Sequence, residues 1–111
     1  MSVGNCIFVS YTLRDNFLNK ELLLNLEKHL EKFGEPYIDL LHNRSEDPQR
    51  YVLEMLEKAK IVVACITPSF LKSKWVRIEI TYAQKHKIPI KLLPITKEPI
   101  SKNKLVQILN H

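Results

Sequence analysis

Glycine is nearly missing: Gly4 and Gly34 are the two present in 111 residues. A P-loop or a GxGxxG turn needs several at fixed spacing, so neither phosphate cradle can be built. Cysteine is equally sparse. Cys6 and Cys65 are too few for a disulfide scaffold, lack zinc spacing and sit in strand-like runs, so both are expected as reduced core residues. The longest apolar run, residues 61–66, is far too short to span a bilayer. The N-terminus has no basic stretch followed by a long apolar run, so no signal peptide is expected and the expected compartment is the cytoplasm. His29, His42, His86 and His111 show no ligand spacing, and no metal is expected.

Acid is scarce in one half only. Residues 1–60 hold eight Lys/Arg and ten Asp/Glu, whereas residues 61–111 hold nine Lys/Arg and two Asp/Glu, within a net charge of +5. The second half therefore attracts anions. A solvated lysine face explains this, and so does an anionic nucleotide or an acidic partner. Nucleic acid is disfavoured, because few aromatics lie among these lysines and no recognition motif is visible. A hydrophobic fraction of 45% and a charged fraction of 26% suit one globular domain over residues 1–111.

Element types alternate along the chain. Residues 6–10 (CIFVS) read as a buried strand. Asp15 can cap a helix running to about Phe33, with Leu18, Leu22, Leu26 and Leu30 at i, i+4 and Gly34 closing it. Residues 36–41 (PYIDLL) form a second strand, and 43–47 a polar loop. Asp47 caps the next helix with Pro48 at its first position, and Val52, Met55, Leu56 and Ala59 form its apolar stripe. Residues 61–66 are a third strand. A helix over 74–85 turns Val76, Ile80 and Ala83 inward, and residues 88–95 form a fourth strand carrying Pro89 and Pro94. The tail can form one short helix with Leu105, Ile108 and Leu109 inward.

This alternation is the pattern of an α/β domain with a parallel sheet. Right-handed crossovers leave few topologies, and the flavodoxin-like order 2-1-3-4, a three-layer sandwich, is the expected one. In such sheets ligands bind beyond the carboxyl ends of the strands where the order reverses, here between strands one and three. Ser10, Tyr11 and Thr12 follow strand one there, and Thr67, Pro68 and Ser69 follow strand three. Trp75 and Glu79, four apart, share one helix face near this point. An indole beside a carboxylate offers a stacking surface and a charge for hydroxyls. The same spacing also fits a packing anchor and a Glu79 ion pair with Arg77 or a lysine. Asp39 can face the cleft or cap a loop. Arg14 can meet a phosphate or only solvate its loop. Ser10 and Ser69 have no evident His/Asp partners, so a nucleophile triad is unsupported. Strand one ends Val9-Ser10 without the acidic residues a phosphoacceptor receiver needs.

Three stretches then resemble one family in order. IFVSYTLRD (residues 7–15) resembles the first motif of Toll/interleukin-1 receptor (TIR) domains, IVVACITPSFLKSKWVRIEI (61–80) the third strand, turn and WxxxE helix, and IPIKLLPI (88–95) the fourth strand. WVRIEI is especially similar to the TIR-like proteins of the bacterial Thoeris anti-phage system. The resemblance implies cleavage of NAD at its nicotinamide–ribose bond, giving ADP-ribose or a cyclic isomer, with NAD as substrate and no separate cofactor. Residue by residue it implies Glu79 as the catalytic glutamate, Trp75 as the aromatic beside it, and Ser10, Tyr11 and Arg14 as the loop that approaches the nucleotide. It equally covers non-catalytic interaction modules. Homo-oligomerisation through TIR–TIR contacts is expected, since Leu92, Leu93 and Ile95 alternate onto both faces of strand four. Two departures stand out: residues 42–48 lack the glycine common in that loop, and the family's usual fifth strand is lacking. Strand four would then be an edge, where Pro89 and Pro94 remove donors.

Overall fold

A five-residue strand with every residue buried needs partners on both sides and cover on both faces. Cys6–Ser10, β1, has this character and sits inside the sheet. A computed structural model describes residues 5–96 and 100–110. In chain order the elements are β1, α1 (Lys20–Leu30), β2 (Glu35–Tyr37), α2 (Asp39–His42), α3 (Pro48–Glu57), β3 (Ala59–Ile66), a 3-10 turn (Phe70–Lys72), α4 (Lys74–Lys85), β4 (Ile90–Pro94) and α5 (Lys102–Leu109). All sheet pairings are parallel and the order is β2-β1-β3-β4, the expected flavodoxin-like arrangement of four strands.

Strand parity divides the core. Ile7 and Val9 of β1 pack with Leu23, Leu26 and Leu30 of α1, Leu93 of β4 and Leu105 of α5. Cys6 and Phe8 face the other way, toward Val52 and Leu56 of α3 and Ala83 of α4. Ser10 shares their parity and so points to the α3–α4 side. Both cysteines are buried and unbridged. Burial pushes the Cys65 thiol up to about 12 and the Cys6 thiol up to about 11, with Glu35 adding to the latter and Lys58 opposing.

Several local expectations are corrected. Asn19, not Asp15, caps α1, its side chain accepting the Leu22 N–H at 2.9 Å. Asn16 has φ of 60°, a left-handed residue that interrupts any helix begun at Asp15. The Asp15 carboxylate instead accepts the Ser69 N–H at 2.7 Å, joining the loops after β1 and β3. The helix stops at Leu30, short of Phe33, and its buried stripe is Leu23, Leu26 and Leu30, with Leu22 only partly covered. Gly34 is needed for close approach: a Cβ there would lie 2.6 Å from the Asn5 carbonyl oxygen.

The second strand ends at Tyr37 and does not reach Leu41. His42 Nδ1 accepts the Ile38 N–H at 2.9 Å, and the Asn43 N–H bonds the Asp39 carbonyl at 3.0 Å. These local bonds wind residues 39–42 into one helical turn in place of a ladder. Because Nδ1 accepts, the ring proton sits on Nε2, which faces Glu27. β3 starts two residues before Ile61, and β4 is shorter than residues 88–95. The Asp47 cap with Pro48 behind it and the bounds of α4 agree with expectation.

β4 is an edge among the described residues. The Val62 N–H bonds the Pro89 carbonyl and the Ile95 N–H bonds the Ile66 carbonyl, so odd-numbered residues face β3 while Ile90, Leu92 and Pro94 face outward. Pro94 alone therefore removes an outward donor; Pro89 looks toward β3.

Candidate functional site

α4 begins where Ser73 Oγ accepts the Val76 N–H at 3.3 Å, which aims its first two turns at the carboxyl end of β1. Trp75 and Glu79, one turn apart, then overlook a cleft of about 320 Å3. Its floor and walls are apolar: Val9 of β1, Leu13, and Pro48 and Val52 of α3. Tyr11, Thr12, Asp39, Gln49 and Glu79 supply its polar groups.

Glu79 is 8% exposed, unusual for a carboxylate. Ser10 Oγ donates to its Oε1 at 2.8 Å. Burial pushes the Glu79 carboxyl up to about 7, the Ser10 hydrogen bond opposes this, and the nearby Asp39 charge adds to it. No lysine or arginine among the described residues forms an ion pair with it. Arg77, the cation expected if Glu79 were a surface residue, sends Nη1 to the Leu71 carbonyl oxygen at 3.1 Å.

Asp39 is the second carboxylate of the cleft. Its Oδ1 accepts from Tyr37 Oη at 2.9 Å and from Asn43 Nδ2 at 2.7 Å. Both bonds fall on one oxygen, which fixes the orientation of the carboxylate. Tyr11 crosses the cleft wall: its Oη accepts the Leu40 N–H at 2.8 Å, linking the loop after β1 to α2. Burial raises the Tyr11 phenol to about 12, against the Leu40 bond and with help from the Asp39 and Glu79 charges. It is a neutral hydroxyl at physiological pH.

Of the residues singled out from the sequence, Glu79, Trp75, Tyr11 and Asp39 share this one cleft. Ser10 lies behind it, fully buried, and reaches Glu79. Arg14 is exposed and outside the lining, and its backbone N–H donates to Thr12 Oγ1 at 3.3 Å. Val9, Leu13, Pro48, Gln49 and Val52 are additions, Thr12 lines the cleft as expected, and Thr67 and Pro68 line a separate groove instead. The switch-point rule, applied to the turns after strands one and three, does not reach the start of α3, where Gln49 lies.

The family model described as TIR domain matches residues 7–110. The chain belongs to the TIR domain family. No curated protein matches it. In this TIR domain the WxxxE pair is thus a cleft pair, with its acid held by the buried Ser10. No group of three His, Cys, Asp or Glu that could hold a metal occurs among the described residues. No described helix is long and apolar enough to cross a membrane.

Proposed function

We propose that this TIR domain cleaves the nicotinamide–ribose bond of NAD, releasing ADP-ribose or a cyclic isomer, as a signalling enzyme of Thoeris-type bacterial defence. The observation that carries this reading is the state of Glu79: buried in a cleft, beside an indole, held by a neutral donor and not by a cation. Such a carboxylate keeps an oxygen for ribose hydroxyls. Its charge favours the oxocarbenium-like transition state that forms as the C1′–N bond breaks. The leaving nicotinamide is a pyridinium that departs neutral, so its nitrogen needs no proton. A glycosidase must protonate its leaving oxygen and uses two carboxyl groups for the work. Trp75 in the same lining is the aromatic surface available to the ring, and Asp39 adds negative charge where the substrate is positive. Ser10 positions Glu79.

The test is incubation of concentrated protein with NAD, followed by product analysis beside a Glu79→Ala control. Loss of NAD with wild type and none with the variant supports the reading; equal turnover by the two ends it.

A second reading, a TIR domain acting as an interaction module, is favoured by another observation. An apolar groove of about 490 Å3 runs beside the β4 edge, lined by Ile66, Phe70, Leu71, Ile80, Ile90 and Leu92. Leu71 and Leu92 are 64% and 59% exposed. We extend the proposal to self-association of the TIR domain through this side. Light scattering over a concentration series checks it, and a strict monomer at high concentration would refute it.

A further inference from the structure

Two properties of the cleft bear on which part of a dinucleotide it holds. The first is size. Pockets that bury a drug-sized ligand run from about 300 to 1,000 Å3, and 320 Å3 lies at the bottom of that range. NAD is two nucleosides joined by a diphosphate, and this space suits one nucleoside.

The second is charge. The described lining contains two carboxylates, Glu79 and Asp39, and neither lysine nor arginine. Arg14, next in sequence to the lining residue Leu13, is exposed and outside it. Helix N-termini are the other phosphate ligands available to a protein. At the two on this rim one N–H each is capped, the Asp47 carboxylate accepting from Arg50 on α3 and Ser73 Oγ accepting from Val76 on α4, and Pro48 at the start of α3 has no N–H to give. A phosphate inside the cleft would meet two acids and no cation. A pyridinium ring carries the opposite charge and a flat face, and it meets two acids, the Trp75 indole and the Tyr11 ring.

We infer that the cleft recognises the pyridinium riboside alone, leaves any phosphate in solvent, and accepts phosphate-free pyridinium nucleosides as substrates. This rests on the NAD-cleaving reading and narrows it. The reaction on nicotinamide riboside is the same bond cleavage. The C1′–N bond breaks with its electron pair going to the ring nitrogen, water adds at C1′, and neutral nicotinamide, ribose and one proton result.

The experiment compares nicotinamide release by the full chain from NAD, from nicotinamide riboside and from its 5′-phosphate, at low and at high salt. The riboside should exceed its 5′-phosphate in kcat/KM by about fivefold or more at low salt, and the gap should close as salt screens the carboxylates. Asp39→Asn, whose amide oxygen can still accept from Tyr37 and Asn43, should narrow the gap at low salt. Cleavage of NAD without cleavage of the riboside overturns this inference and leaves the NAD reading standing; it would mean that phosphate contacts, from a second copy or from Arg14, carry the binding. A salt-independent ratio also overturns it. Release from none of the three compounds overturns the NAD reading itself, and the inference with it.

Discussion

Replacing Glu79 by glutamine should make this TIR domain more stable above neutral pH and leave it little changed in mild acid. The carboxyl titrates at about 7 in the fold against 4.5 in the open chain. Between those values the native state holds a proton that the unfolded chain has released, so stability falls as pH rises through the window and levels off above it. At 1.36 kcal/mol per decade, the interval corresponds to roughly 3 kcal/mol. Glutamine keeps the shape and an oxygen to accept from Ser10 Oγ, but never ionises, so it escapes this cost. The assay is urea unfolding of both proteins at about pH 5 and about pH 8.5, with stability taken from the midpoint and slope. The difference between the two proteins isolates Glu79, because every other titrating group is common to them. The variant should gain about 3 kcal/mol at the higher pH and under about 1 kcal/mol at the lower. A constant difference across pH, or a variant that is weaker at the higher pH, would show that the carboxylate is solvated or paired, and would remove the physical basis for a charged group held ready in the cleft.

Other outcomes follow from the same contacts. If ionised Glu79 is the working form, NAD cleavage should rise with pH through about 7 and then flatten, as a pH–rate profile of kcat/KM reads directly; a profile falling over that range contradicts the charge role. Ser10→Ala removes the donor that opposes the upward shift, so the rising limb should move to higher pH, with little loss of rate on the plateau; an unmoved limb would mean that Ser10 does not position Glu79. Cys6 and Cys65 should resist a thiol reagent in the native chain and react fully after denaturation, since both are buried and both thiols are pushed upward; rapid labelling of the native protein would contradict this. Asn19→Ala should cost about 1 kcal/mol by leaving the Leu22 N–H uncapped, measured by thermal or urea unfolding.

Residues whose neighbours on the chain set their surroundings were legible in advance. α4 was bounded correctly because its apolar stripe, Val76, Ile80 and Ala83, follows a serine able to cap it. Trp75 and Glu79 fall on one face by helical period alone, and the topology rule brings that face to the end of β1. The turn at Asp39 was not legible. PYIDLL reads as a strand by its apolar content, and what bends it is a set of side-chain bonds, His42 to the Ile38 N–H above all, that no period encodes. Asp15 misled for a similar reason: it has the chemistry of a cap, but its acceptor oxygen serves a residue 54 positions away. The resemblance assigns Ser10 to the loop at the ligand, although it closes the strand 6–10. Its parity with Cys6 and Phe8 already put it on the inner face, where burial and Glu79 claim it.

The register of β4 sets how far the sheet can grow. A bare edge behaves like the live end of a polymer, adding any strand that can match its donors and acceptors. Here Ile90 and Leu92 supply outward donors and the next outward position, Pro94, terminates the series. The Pro94 carbonyl oxygen, the last outward acceptor, already receives Lys104 Nζ at 3.3 Å, so the end of the template is taken from both sides. An incoming segment finds a short patch of backbone, too little to propagate a ribbon, with most of its grip left to side chains such as Leu92. Proline one residue to either side would have faced β3 and left the chain-growing end intact. A single imino acid at the right parity therefore shortens the row of outward donors that an incoming strand could match at this edge.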